Sequence, residues 1–146
     1  MNTDELIESY VKKAEDLFAD GFNCAQAVFA ACAQLFGIDE QTALRLSASF
    51  GGGMGRMHYT CGAASAMFML EGLCSGSATP RDTEGKMNNY VQVRLLADSF
   101  RATFGSITCS ELLAMGQGWK TPCKQLVAGA VRIFLHKNAY LFADMQ

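Results

Sequence analysis

Six cysteines stand in this chain of 146 residues, and four of them share a setting. Cys24 follows Asn23, Cys61 follows Thr60, Cys109 follows Thr108, and Cys123 follows Thr121-Pro122. Asparagine and threonine accept hydrogen bonds from the first free amides of a helix, and proline suits the first helical position. Each of the four cysteines is therefore expected at the start of a helix. Unpaired amides and the positive end of the helix dipole gather there, and both favour a thiolate over a thiol. At least one of the four is expected to be more acidic than an ordinary cysteine. Four such thiolates could hold an iron–sulfur cluster, hold a tetrahedral zinc, or form two pairs cycling between dithiol and disulfide. The ligand count fits all three. Cys32 and Cys74 lack the setting and are expected as small core residues. No C-x-x-C occurs, which argues against a thioredoxin-type pair and common zinc knuckles.

The stretch Phe50-Gly51-Gly52-Gly53-Met54-Gly55-Arg56-Met57-His58-Tyr59-Thr60-Cys61 leads into the second of these cysteines. Its glycines exclude a helix interior, so a helix must end before Gly51. A phosphate-binding loop would need Lys and Ser or Thr after its last glycine, and Arg56-Met57 stand there instead. A dinucleotide fingerprint would need a preceding strand and a third, spaced glycine. What remains is a close helix–helix connection whose amides can approach an anion or a cluster sulfur. On that reading Gly51, Gly52, Gly53, Gly55 and Arg56 form a cofactor-binding loop. Arg56 could lower a neighbouring thiol pKa, and His58 could replace one ligand or shuttle a proton. Trp119, near Cys123, is read as a cover for the site's edge or as core.

The elements that would position these residues are helices throughout. Apolar residues recur at helical spacing over 3–19, capped by Thr3, and Gly21 ends the run. Further helices are expected over about 24–36, over 40–49 after a cap at Asp39, and over 61–73 after a cap at Thr60. Cys74 to Pro80 reads as a loop. A long helix follows over about 81–104, then a short one over 109–115 with a Thr108–Glu111 capping box. Residues 116–120 read as a turn, and a last helix covers about 122–138. No alternating pattern and no β-branched run appears. The fold class expected is an all-α, single-domain bundle of six or seven helices spanning residues 1–146.

Composition narrows the function classes. Half the residues are hydrophobic and the formal net charge is −2, which gives no electrostatic footprint for nucleic acid. No stretch is long and apolar enough to span a membrane. The acidic start, Asn2-Thr3-Asp4-Glu5, does not read as a signal peptide. Six cysteines without such a signal point to a reducing cytoplasm, where metal binding or redox work outranks structural disulfides.

Several segments together carry a family resemblance. They are Gly21-Phe22-Asn23-Cys24-Ala25-Gln26-Ala27-Val28, the glycine run with Thr60-Cys61-Gly62-Ala63, Gly105-Ser106-Ile107-Thr108-Cys109, and Pro122-Cys123. Over about residues 5–135 the chain resembles the C-GCAxxG-C-C family, described as redox-active proteins of anaerobic bacteria and archaea. A related module is fused to a split-Soret cytochrome c, where an iron–sulfur centre is suspected. Position by position, the resemblance carries the family's cysteines onto Cys24, Cys61, Cys109 and Cys123. The literal Gly-Cys-Ala-x-x-Gly is absent: Thr60 precedes Cys61, Gly62 follows it, and Ala66 stands where a second glycine is often found. The function expected is a redox-active protein with these four cysteines as one centre, an iron–sulfur cluster serving electron transfer. The alternatives are a thiol–disulfide oxidoreductase with no metal and a zinc-stabilised structural or binding module. The partner expected is a redox protein or a small-molecule reductant.

Overall fold

The computed structural model describes residues 1–115 and 120–145. Among them are seven α-helices: α1 (Thr3–Ala19), α2 (Cys24–Ala33), α3 (Glu40–Ser47), α4 (Gly62–Ser75), α5 (Thr83–Phe104), α6 (Cys109–Met115) and α7 (Lys120–Lys137). Short 3₁₀ turns extend α2 and α3, over Gln34–Phe36 and Ala48–Phe50, and a longer one, Ala139–Met145, follows α7. The fold is all-α, and extended pairing is confined to one isolated antiparallel bridge between Thr60 and Thr108. No helix among the described residues is long and apolar enough to cross a membrane. The expected turn at 116–120 falls largely on residues 116–119, and these, Trp119 included, lie outside the described residues.

Local chemistry explains most helix ends. Asn23 and Gln26 form a reciprocal capping box at the start of α2, each side chain accepting the other's backbone N–H, at 2.9 and 3.0 Å. Asp39 caps α3 by accepting the amide of Thr42. Gly37 and Gly105, both in the left-handed region, close the helical segments before them. Five ends differ from expectation. α7 starts at Lys120 rather than at Pro122. Asn2, not Thr3, caps α1, accepting the amide of Glu5 at 2.8 Å. Asp82 caps α5, so that helix starts at Thr83 rather than Arg81. Thr60 is drawn into the bridge with Thr108, so Cys61 itself becomes the N-cap of α4. α4 also runs on through Cys74 to Ser75, whose hydroxyl donates to the Glu71 carboxylate at 2.6 Å.

α2 is the central helix. Of its residues only Cys24 and Gln26 escape full burial, and it packs against α1, α3, α4 and α7. A helix apolar on all sides belongs inside a bundle. Its alanines keep its neighbours close, and α4 meets it with the buried run Gly62-Ala63-Ala64-Ser65-Ala66-Met67. α4 and α7 run in the same direction. At their C-terminal ends the buried Glu71 carboxylate accepts from Lys137 Nζ at 3.1 Å and Asn138 Nδ2 at 3.2 Å. Their N-terminal ends carry Cys61 and Cys123, with Cys61 about 15 Å from Glu71 by the rise of α4. α5 is peripheral and buries only Leu96, Ala97 and Phe100.

The capping box of α2 also ties that helix to α3, through Asn23 Nδ2 to the Ala48 carbonyl and Gln26 Nε2 to the Leu44 carbonyl, both at 3.0 Å. Asn23→Ala removes the cap and one of these ties together. It should destabilise the protein by about 1–2 kcal/mol, the upper range for losing an N-cap. Chemical denaturation of the two proteins checks this, and a loss within error would show the cap to be replaceable.

Candidate functional site

Four helices begin at one place. α2 opens on Cys24, α4 on Gly62 with Cys61 as its cap, α6 on Cys109, and α7 carries Cys123 within its first turns. A cavity of about 680 Å³ is lined by all four cysteines, with Arg56, His58, Gly52 and Gly62 among the other lining residues and Phe18, Leu112, Leu113 and Leu126 as apolar wall. No carboxylate lines it among the described residues. A larger and more open groove, of about 920 Å³, contains no cysteine or histidine and lies away from this chemistry. Cys32 is fully buried in the core, as a small apolar residue. Cys74 is half-buried towards the C-terminal end of α4, and burial pushes its thiol up.

Two glycines let the cysteines in. A Cβ built on Gly62 would lie 2.7 Å from Cys24 Sγ and 2.8 Å from the Phe50 carbonyl oxygen. One built on Gly53 would lie 2.7 Å from Cys109 Cβ. Any side chain at either position would overlap a cysteine or its surroundings. Gly51 has the same relation to the side chain of Asn23, the cap of α2. The bridge supplies the other registration. Cys61 N–H donates to the Ile107 carbonyl at 2.7 Å, Cys109 N–H to the Tyr59 carbonyl at 2.6 Å, and Ser110 N–H to the His58 carbonyl at 3.2 Å. The segments before α4 and α6 are thus laced together, and Cys61 and Cys109 come to one wall. The expected Thr108–Glu111 box is replaced by a relay: Ser106 Oγ donates to the Glu111 carboxylate and accepts the Thr108 N–H.

The loop between these helices is wound left-handed. Gly52, Gly53 and Gly55 have positive φ, and so do Met54 (66°), Arg56 (63°) and His58 (60°). For a residue with a side chain that region is unfavourable by roughly 1–2 kcal/mol. The loop is held by its own backbone: Gly55 N–H to Ser49 O at 2.8 Å, Arg56 N–H to Gly51 O at 3.1 Å, and His58 N–H to Gly52 O at 3.1 Å. Strain of this kind persists where the surroundings over-determine it, and it clusters at functional sites. Arg56 and His58, two of this loop's three left-handed non-glycine residues, are cavity-lining residues.

Electrostatics run against the expected acidity at three of the four cysteines. Burial pushes the Cys61 thiol up to about 12, with Cys24 adding to the shift and the amides of Ala64 and Ala63 pulling against it. Cys109 is raised by burial and then by Cys24, and Cys123 by burial, Cys24 and Cys109. The helix amides are present at Cys61 as anticipated. They are outweighed because Cys61 is only 4% exposed and shares its cavity with other thiols. Among the described residues no three Cys, His, Asp or Glu side chains close on one point as ligands of a single ion.

The apolar wall escaped sequence reasoning, since Phe18, Leu112 and Leu126 look like any core residue until the helices are assembled. The left-handed non-glycine residues escaped it too. Gly62, directly after a cysteine at a helix start, was the available signal for close approach.

The family described as "Putative redox-active protein (C_GCAxxG_C_C)" matches residues 22–136. No curated protein and no solved structure matches the chain.

The raised thiols make stability depend on pH. Cys61 and Cys32, both pushed up to about 12 by burial, keep protons in the folded state that an unfolded thiol releases near 8.5. Above that value the folded state binds more protons, so stability must fall as pH rises. Thermal melts of reduced, metal-free protein should be flat in this respect below about pH 8.5 and drop progressively towards pH 12. Cys61→Ser should remove part of the drop. A melting temperature unchanged up to pH 11 would mean that Cys61 is not desolvated.

Proposed function

The chain belongs to the C_GCAxxG_C_C family of redox-active proteins, and from that premise we propose that Cys24, Cys61, Cys109 and Cys123 together bind an iron–sulfur cluster used for electron transfer. One observation carries the reading: four cysteines from four helix starts line a single cavity. The donor set fits such a group. All four are thiols, the wall bears no carboxylate among the described residues, and glycines at 53 and 62 leave room where side chains would intrude. When bound, the cluster would supply one-electron exchange. The chain's part is to supply sulfur ligands, exclude bulk water with Phe18, Leu112 and Leu126, and direct helix amides at negative charge. Of the glycine loop, Gly52 lines the same cavity, Gly51 and Gly53 make room beside it for Asn23 and Cys109, and Gly55 is not among its lining residues. Cys24, Cys109 and Cys123 are only half-buried, which leaves an edge for a redox protein or a small-molecule reductant.

The rival readings meet physical objections. A thiol–disulfide enzyme needs an attacking thiolate, and burial works against one at Cys61, Cys109 and Cys123. A tetrahedral zinc with bonds of about 2.3 Å needs sulfurs within roughly 4 Å of one another, and the described side chains are not gathered that way. A cluster of several irons accepts wider spacing. The reading places the protein in a reducing cytoplasm, where thiols stay available as ligands.

Anaerobically prepared protein should contain iron and acid-labile sulfide. Cys24→Ser, Cys61→Ser, Cys109→Ser and Cys123→Ser should each lower the iron by half or more, whereas Cys32→Ala should keep the iron and lose about 1 kcal/mol or more of stability. Gly62→Ala changes no ligand but sets a methyl against Cys24 Sγ. It should also lower the iron, with about 1–3 kcal/mol of overpacking. A parent protein without iron, giving mixed disulfides when single cysteines are replaced, would establish the thiol–disulfide reading instead.

A further inference from the structure

The cysteines do not account for Arg56 and His58. Both are cavity-lining residues, and both sit in left-handed backbone that only glycine adopts freely. Gly52 is cut away for the arginine: a Cβ there would lie 2.7 Å from Arg56 Cγ and 2.9 Å from its Cα. The loop is thus shaped around the stem of this side chain. Arg56 is exposed and His58 is half-buried, which places them at the rim rather than in the core. Among the described residues the cavity offers them no carboxylate, and neither side chain has a hydrogen-bond or ion-pair partner. An unpartnered guanidinium and imidazole at the rim of a cavity walled by Phe18, Leu112 and Leu126 are an incomplete pair. At about 680 Å³ the cavity is also of small-molecule size.

We propose that this rim binds a small organic acid, with its carboxylate on Arg56 and His58 and its apolar body against Phe18, Leu112 and Leu126. The proposal rests on the four-cysteine reading for its meaning, since it makes the bound acid the neighbour of that centre. A guanidinium presents two parallel N–H donors that match the two oxygens of a carboxylate. His58 adds a donor from the same loop. An inorganic oxyanion would satisfy these donors but would leave the apolar wall unused.

Calorimetric titration of anaerobically prepared protein with acetate, butyrate and hexanoate tests this. Affinity should rise by roughly two- to four-fold for each added methylene as the body meets the wall, and phosphate should bind more weakly than hexanoate. Arg56→Gln should weaken hexanoate at least tenfold, Arg56→Lys less because charge remains while the fork is lost, and both should keep the parent's iron content. Absence of binding, affinity independent of chain length, phosphate binding as tightly as hexanoate, or full affinity in Arg56→Gln each overturns the proposal. So does loss of iron in Arg56→Gln, which would assign the guanidinium to the centre itself. Protein that lacks iron yet binds hexanoate through Arg56 would sink the cluster reading and leave this site standing.

Discussion

The whole arrangement depends on how closely α4 can approach α2. At Gly62 the missing side chain is what admits Cys24 Sγ, and the same vacancy faces the Phe50 carbonyl at the end of α3's extension. One residue thereby registers three segments. If a methyl stood there, α4 would withdraw, the buried Ala63-Ala64-Ser65-Ala66 run would lose its seat on α2, and Cys61 would leave the cavity. Interiors packed to crystal-like density transmit such a shift rather than absorb it. The alanines of α2 belong to the same logic, since small residues bring helix axes close and so bring helix ends close. The site is a consequence of packing at one end of the bundle, and the Glu71–Lys137–Asn138 cluster keeps α4 and α7 aligned from the other.

Convergent helix starts and burial act on the thiols in opposite senses. Amides of Ala63 and Ala64 favour a charged sulfur at Cys61, but desolvation and the nearby thiols disfavour it more strongly. A protein that used these cysteines as free nucleophiles would be ill served by that balance. A protein that presents them to a cationic group is served well, because the group's charge offsets both the desolvation and the mutual repulsion while the amides contribute in the same direction. Proton release then accompanies ligation. In that reading the four sulfurs act together.

What the sequence disclosed was what local chemistry determines. The caps at Asn23 and Asp39, the stops at Gly37 and Gly105, and the span of α6 depend on residues within one turn of each other, and they read correctly. Thr60 read wrongly as a cap because its partner, Thr108, is remote in sequence, and an extended pairing outcompeted local capping there. The Thr108–Glu111 box was diverted for a similar reason, by Ser106 two residues upstream. The left-handed conformations of Met54, Arg56 and His58 were hidden because nothing in those side chains prefers that region. They are imposed by the glycines between them and by carbonyls at Ser49, Gly51 and Gly52. At Cys61, Cys109 and Cys123 the direction of the thiol shift was misread because a sequence displays caps but not depth.

The four anchor points are unequal, and the inequality has a direction. α2, α4 and α7 are long and packed into the common core, so Cys24, Cys61 and Cys123 start from well-supported elements. α6 has seven residues and buries only Leu112. A helix of that length has no stability of its own in water. It is held by the bridge through Tyr59, His58 and Ile107, by the Ser106–Glu111 relay, and by the fit of Cys109 against Gly53. Any group that takes Cys109 as a ligand adds directly to that short inventory, since binding to the folded state alone stabilises it. Such ligation would couple to folding most tightly at α6, whereas the core helices keep their positions through one another's packing.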